Sequence, residues 1–187
     1  MQGPRVGLHM KRGLKAACAC GAIVFSSMSP AAAQQQVAAV PDGPSSLREV
    51  YQDWSVACSV QENARVCSLS QDQVQKNGQR LLAVEIQRRA DGSTMATLLL
   101  PFGILLDSGV TLQIDDQPPL SPQRFRTCLP TGCIAVLVID RPTLGKMRGG
   151  TVLKLNVTTD AETPLTFPVS LHGLSAALDR MVALSAR

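Results

Sequence analysis

Aromatic residues are scarce in this chain of 187 residues, which has one Trp, one Tyr and four Phe. The chain therefore lacks the row of aromatic platforms on which single-stranded nucleic acids stack their bases. Histidine is rarer still, and of the two in the chain only His172 lies beyond residue 33. A zinc site with several histidine ligands cannot be built from one histidine. Any Ser–His or Cys–His catalytic pair would have to use His172.

An excess of positive charge exists only at the N-terminus. The chain has 18 Lys and Arg against 14 Asp and Glu, but four of the basic residues, Arg5, Lys11, Arg12 and Lys15, precede residue 33. Removing those four leaves 14 basic and 14 acidic residues. A neutral domain without a Lys/Arg cluster in its sequence lacks the electrostatic footprint of a nucleic-acid-binding protein. No nucleic-acid partner is expected.

No apolar run near the N-terminus is long enough to cross a membrane. Residues 16–25 are uncharged and mostly apolar, which is about half of the ~20 residues that a membrane-spanning helix needs. The run follows basic residues and precedes Ala31-Ala32-Ala33, the small residues typical of a signal-peptide cleavage site. The sequence predicts that residues 1–33 are a cleaved signal peptide. The mature protein would then lie in the periplasm or outside the cell, with no transmembrane segment.

The chain beyond the signal divides into a leader and a single domain. Residues 34–48 are rich in Gln and then in Pro, Gly and Ser, a composition that predicts a flexible leader. In residues 49–187, apolar and polar residues alternate over short runs separated by turn residues, as in the strands of a β-sandwich. Residues 61–64 read as a hairpin loop. The predicted strands are 54–58, 66–70, 80–88, 95–100, 110–114, 133–139, 152–158 and 165–169.

The C-terminal segment has a different period. Leu171, Leu174, Ala177, Leu178 and Met181 recur at intervals of three and four residues, which places them on one face of a helix. The sequence therefore predicts an all-β domain with a short C-terminal helix packed against it.

Four cysteines remain beyond the signal: Cys58, Cys67, Cys128 and Cys133. An even number in an exported chain indicates disulfides, and four cysteines allow three pairings. We expect Cys58 to pair with Cys67 and Cys128 with Cys133, because each pair closes a hairpin-sized loop. A zinc site is disfavoured by the lack of a Cys-x-x-Cys pair, and a redox dithiol by the four residues between Cys128 and Cys133. No metal or cofactor is expected.

The segment Asp107-Ser108-Gly109 resembles the catalytic turn of an aspartic protease, in which two such aspartates share a proton. The chain carries one copy, so catalysis would require a homodimer. The same residues favour an ordinary turn at the start of a strand, and we interpret them so. His172 has no recognisable nucleophile elbow beside it and is interpreted as a capping or packing residue. No catalytic residue is predicted.

Several segments, taken in order, resemble the invasion-associated locus B family of exported alphaproteobacterial proteins. The resemblance covers roughly residues 50–180 and is most specific in the cysteine pairs combined with the Leu-Pro-Phe-Gly segment. The matching segments are Trp54-Ser-Val-Ala-Cys58, Cys67, Leu100-Pro101-Phe102-Gly103-Ile104, Leu106, Gly109-Val110, Phe125, Cys128, Gly132-Cys133-Ile134-Ala135, Ser170-Leu171-His172-Gly173-Leu174 and Ala177-Leu178.

The resemblance implies an immunoglobulin-like β-sandwich in the periplasm or outside the cell, without catalytic residues. It also implies a virulence role in host-cell entry, although many relatives occur in non-pathogens. The expected function is that of a non-enzymatic envelope or secreted protein that acts through contacts with an envelope or host protein. A periplasmic protein that binds a small ligand is the alternative. A concave apolar pocket with a few converging polar groups would favour that alternative.

Overall fold

The computed structural model describes residues 46–61 and 64–185. The predicted signal peptide and residues 34–45 of the predicted leader lie outside this part of the chain. The described residues form ten strands and two helices. In chain order they are β1 (Ser46–Tyr51), β2 (Trp54–Gln61), β3 (Ala64–Val74), β4 (Arg80–Arg88), β5 (Thr94–Leu100), β6 (Thr111–Ile114), β7 (Phe125–Leu129), β8 (Gly132–Ile139), α1 (Arg141–Gly149), β9 (Val152–Thr158), β10 (Pro164–Ser170) and α2 (Leu174–Ser185).

The strands form two antiparallel sheets. Seven of them lie in the order β1-β2-β3-β4-β5-β8-β7, and the other three in the order β10-β9-β6. The first five strands form a meander in which each strand pairs with the next along the chain. An immunoglobulin constant domain instead divides its strands four and three with Greek-key connections. The all-β class and the C-terminal helix are confirmed, and the strand order differs from the immunoglobulin one.

The core lies between the two sheets and beneath α2. Alternate residues of the large sheet point inward, as the period of a strand requires, and this row includes the fully buried Trp54, Leu69 and Leu98. The opposite face carries residues such as Ser68 and Ser70, which are only partly buried. The small sheet contributes its own buried row, for example Leu112 and Leu155. One hydrophobic cluster therefore joins both sheets and α2.

The structure adds three elements that the sequence pattern did not predict, namely β1, β7 and α1. β1 begins at Ser46 and pairs with β2 over its whole length. Residues 46–48 of the predicted leader therefore belong to the sheet, because the alternation of Leu47, Glu49 and Tyr51 suits an edge strand half-covered by its neighbours. β7 is exposed along nearly its whole length and is held by its pairing with β8.

Neither helix of the described residues has the length and apolar content that a membrane-spanning helix requires.

Helix α1 begins and ends at residues that favour helix termini. The side chain of Asp140 accepts a hydrogen bond of 2.7 Å from the backbone N–H of Thr143, which satisfies one of the free donors of the first turn. Pro142 stands in that first turn, where its missing N–H costs nothing. Lys146 and Arg148 lie in the last turn, where they complement the negative end of the helix dipole.

Candidate functional site

The two disulfides lie near opposite ends of the large sheet. Cys58 and Cys67 face each other across β2 and β3, with 4.0 Å between their Cα atoms and an S–S distance of 2.10 Å. Cys128 and Cys133 face each other across β7 and β8, with 3.9 Å between Cα atoms and an S–S distance of 1.94 Å. The structure thus has the pairing expected from the sequence. Each bridge holds together two neighbouring strands.

The end that carries the Cys128–Cys133 bridge is built around a close backbone approach at Gly132. Gly132 has a φ of 138°, and a Cβ at this position would overlap the carbonyl oxygen of Leu100. The absence of a side chain lets the tip of the β7–β8 hairpin lie directly against the last residue of β5. The segment that follows Leu100 therefore begins beside Leu129, which pairs with Gly132 at that tip.

From Leu100 the chain crosses to the small sheet. The carbonyl of Gly103 accepts a hydrogen bond of 3.0 Å from the N–H of Asp160, and the N–H of Leu105 donates one of 2.8 Å to the carbonyl of Thr158. These bonds fix residues 101–106 against the turn between β9 and β10. Leu165, near the start of β10, lies at the same end of the molecule.

This end, which we call the Phe102 end, presents four apolar side chains to solvent. Every exposed Leu and Phe of the described residues belongs to it, and the other exposed large hydrophobic residues are all valines. Large exposed apolar patches mark interaction sites, whereas single scattered residues are normal. The four residues of the Phe102 end, with their exposed fractions, are Phe102 (59%), Leu106 (44%), Leu129 (46%) and Leu165 (38%).

Asp107 lies in a turn at the edge of this end. The N–H of Gly109 donates a hydrogen bond of 3.1 Å to the carbonyl of Leu106, which closes the turn around Asp107 and Ser108. Asp107 is exposed. Its surroundings match the interpretation of Asp107-Ser108-Gly109 as a turn that leads into the strand beginning at Thr111.

His172 lies in the turn that enters α2, with its side chain exposed, so it does not pack into the core. It lines an open depression of about 530 Å³ between the edges of the two sheets, together with Asp53 and Asp72. Asp72 is engaged in an ion pair of 2.7 Å with Arg80. No three His, Cys, Asp or Glu residues in ranges 46–61 and 64–185 are grouped so that they could hold a metal ion.

Hydrogen bonds at the base of the same depression join the two sheets. The amide of the buried Gln71 donates a hydrogen bond of 3.0 Å to the carbonyl of Ser170 and accepts one of 3.2 Å from its N–H. The indole N–H of Trp54 also donates to that carbonyl, at 3.0 Å, and the Gln73 amide donates to the carbonyl of Pro168. The amides of Gln71 and Gln73 are therefore paired with the backbone of β10.

A charged cluster joins the first strand to the last helix. The guanidinium of Arg180 donates two hydrogen bonds to the carboxylate of Glu49, at 2.7 and 2.8 Å, and the hydroxyl of Tyr51 donates a third at 2.7 Å. These bonds, those from Arg180 first, lower the pKa of Glu49 to about 2. The bond to Glu49 raises the pKa of Tyr51. The cluster attaches β1 to α2 and is structural.

Asp115 and Asp116, which are adjacent in sequence, also have a structural role. The carboxylate of Asp115 accepts hydrogen bonds from the N–H groups of Thr151 and Val152, at 3.0 and 2.9 Å. Asp116 forms an ion pair of 3.1 Å with Lys154. Asp115 thus anchors the start of β9, a role that no local sequence signal reveals because its partners lie more than 30 residues away.

The fold defines a small disulfide-bridged β-sandwich with an apolar end. Residues 54–182 match the family described as Invasion associated locus B (IalB) protein. An invasion protein B homolog of Brucella abortus (strain 2308) is 40% identical over 170 residues, which is 88% of this chain and 94% of that protein. Invasion protein B of Bartonella bacilliformis is 35% identical over 161 residues, or 84% of this chain and 87% of its own.

A solved structure agrees with the sequence matches. The crystal structure of invasion associated protein B from Bartonella henselae superposes with a TM-score of 0.71 at 36% sequence identity, covering 75% of this chain and 97% of that one. The chain therefore belongs to the invasion associated locus B family.

Proposed function

We propose that this protein is exported by the signal peptide of residues 1–33 and acts without catalysis, through contacts of its Phe102 end with a protein of the envelope or of a host cell. The observation that carries the proposal is the concentration of every exposed Leu and Phe of the described residues at one end. Aromatic residues are enriched in protein interfaces, and Phe102 is the most exposed of the four.

Two features support export. The two disulfides suit an oxidising compartment such as the periplasm or the cell exterior. The sequence before the described residues has the charge, apolar run and small residues of a signal peptide. Export would deliver the Phe102 end to the place where envelope and host proteins are found.

Family membership supports a role in host-cell association. The relatives from Brucella and Bartonella are named as invasion proteins or their homologues. An apolar end braced by a disulfide and by backbone hydrogen bonds suits a docking surface, because binding residues work best when a rigid scaffold positions them. The partner would cover the four apolar side chains.

The proposal is tested by replacing the apolar surface in the native bacterium. A deletion strain is complemented with the wild-type chain, with Phe102→Ser combined with Leu129→Ser, or with Val138→Ser as a matched control on an exposed valine of β8. Host-cell association should fall for the double variant and stay at the wild-type level for the control. Equal association for all three, at equal protein levels, would contradict the proposal.

Binding of a small ligand in the depression beside His172 is the second candidate. The volume of this depression, about 530 Å³, falls in the usual range of ligand sites, and this observation favours the second candidate. Native mass spectrometry of protein purified from the periplasm would detect a retained ligand. His172→Ala should release that ligand if this candidate is right.

A further inference from the structure

The large sheet ends on one side at β1, and this strand has backbone groups to spare on its outer edge. A two-residue turn joins Tyr51 to Trp54, and such a turn closes with a hydrogen-bonded pair. Bonded and non-bonded pairs alternate along an antiparallel ladder, so every second residue from Tyr51 back along β1 bonds to β2. The N–H and C=O groups of Arg48 and Val50 therefore point away from β2, and no other strand of the described residues pairs with them.

The other three edges of the two sheets, within the part of the chain that the structure describes, are protected against a further strand. Outward-facing positions of β10 carry Pro164 and Pro168, which have no N–H to donate. The edge of β6 is covered, because Val110 just before it exchanges two backbone hydrogen bonds with Gln123. β7 has five residues and a bulge after Phe125, and short or bulged edges resist pairing. β1 has none of these three devices.

The side chains of β1 favour pairing as well. Val50 is 68% exposed, the highest fraction among the exposed large hydrophobic residues in the described ranges, and its β-branched side chain suits a strand. On the opposite face, Leu47 and Tyr51 are half-buried and pack against the core. A strand added beside β1 would cover the rest of these three side chains.

We propose that two copies of this protein pair through β1, antiparallel and across a twofold axis, so that their large sheets form one continuous sheet. The register that fits is centred on Glu49. It places Arg48 opposite Val50 of the second copy, so that the spare backbone groups of both residues bond to each other. It also places Leu47 opposite Tyr51 of the second copy on the other face, where each gains an apolar cross-strand neighbour.

Charge and backbone geometry select this register over its neighbours. A register centred on Arg48 would set two arginines directly opposite each other, which is destabilising. A register centred on Val50 would oppose Arg48 to Gln52, whose φ of 53° is not that of a strand. The register centred on Glu49 brings two carboxylates together, but each already accepts two hydrogen bonds from Arg180 of its own copy. The two guanidiniums balance the two carboxylates, so β1 complements a second copy of itself in charge.

Pairing through β1 leaves the Phe102 end uncovered. The hairpin of β7 and β8, whose tip carries Leu129, lies at the opposite edge of the large sheet from β1, about 29 Å away at the usual spacing of strands. A dimer would therefore carry two Phe102 ends, and two linked contacts bind more tightly than one. The dimer does not depend on the protein contact proposed above, because it uses none of the same residues.

Analytical ultracentrifugation of the full mature chain over a concentration series tests the proposal. The wild type should change from monomer to dimer as its concentration rises. Val50→Pro should remain a monomer at every concentration, because it removes an outward N–H that the bonds from β1 to β2 do not use. Val50→Thr keeps the N–H and a β-branched side chain, so it should still dimerise. Equal urea midpoints of these two variants in dilute solution would show that both are folded.

Glu49→Cys tests the register. Mild oxidation should link two copies at this position, since directly opposed residues have Cβ atoms about 5 Å apart. Val138→Cys, at an exposed position of β8, is the matched control and should stay unlinked. A wild type that is monomeric at every concentration, or a Val50→Pro variant that dimerises as the wild type does, would overturn the proposal. Linkage at position 138 without linkage at position 49 would also overturn it.

Discussion

The Cys128–Cys133 bridge lies within the proposed contact end, so removing it separates a stabilising role from a recognition role. The bridge closes a loop with a sequence separation of five residues. The chain-entropy relation for so short a loop gives about 2 kcal/mol of stabilisation. Cys128→Ser with Cys133→Ser should therefore lower the free energy of unfolding by roughly that amount.

The structure predicts that recognition survives this loss. The β7–β8 pairing and the approach of Gly132 to Leu100 position Leu129 without help from the sulfurs. At an m-value of about 2 kcal/mol/M, the urea midpoint should fall by about 1 M. Host-cell association should stay unchanged at temperatures where the variant remains folded.

The matched control is Cys58→Ser with Cys67→Ser, which opens a loop with a separation of nine residues at the other end of the sheet. Its expected cost is slightly larger, just under about 3 kcal/mol. An unchanged midpoint in either double variant would refute the assumed role of that bridge. Lost association by a folded Cys128/Cys133 variant would mean that the bridge shapes the contact surface itself.

Three further predictions follow from single side chains. Gly173→Ala should lower the free energy of unfolding by at least about 2 kcal/mol, because Gly173 has a φ of 86° and a Cβ there would overlap a backbone carbonyl. The control Gly145→Ala, in open space on α1, should not lower it. Equal urea midpoints for the two variants would contradict this prediction. The pKa of Glu49 is about 2 in the fold, below its ordinary value of 4.5, so the unfolded chain takes up this proton first as the pH falls. The free energy of unfolding should therefore drop from about pH 5 to pH 2, and Glu49→Gln should flatten that slope. Asp107→Asn should change neither the fold nor host-cell association, since Asn supplies the same turn hydrogen bonds; loss of a peptide-cleaving activity in this variant would contradict the turn interpretation.

Much of the fold could be predicted because its strands bury alternate residues. The segments 80–88 and 152–158 match β4 and β9 to the residue, and both have clean alternation of buried and partly buried positions. The helix period of Leu174, Ala177 and Leu178 was equally plain, because all three face the core. The sequence pattern predicted these elements because each of them has one buried face and one less buried face.

The missed elements β7 and α1 do not divide clearly into a buried face and an exposed face. β7 is almost wholly exposed, so its residues carry no alternation and only the pairing with β8 makes it a strand. α1 buries Met147 alone, too little for a helical stripe, although Asp140, Pro142 and Gly150 mark its ends. Those three residues were the signal that could have identified it.

The surfaces were the least predictable part. The Phe102 end unites residues from three separate segments, namely the loop after β5, β7 and β10. Apolar patches of this kind arise only when the register of the sheet brings distant residues to one end.

Site-specific photo-crosslinking in the native bacterium during host-cell contact tests most directly whether the Phe102 end contacts a protein partner. A photoreactive phenylalanine analogue is placed at position 102, and in a separate strain at position 138, where the native valine is 67% exposed. Contact through the Phe102 end should give a discrete crosslinked protein partner from position 102 that is absent from position 138. Crosslinks from position 138 alone, or none from position 102 while the protein is folded and present, would contradict it.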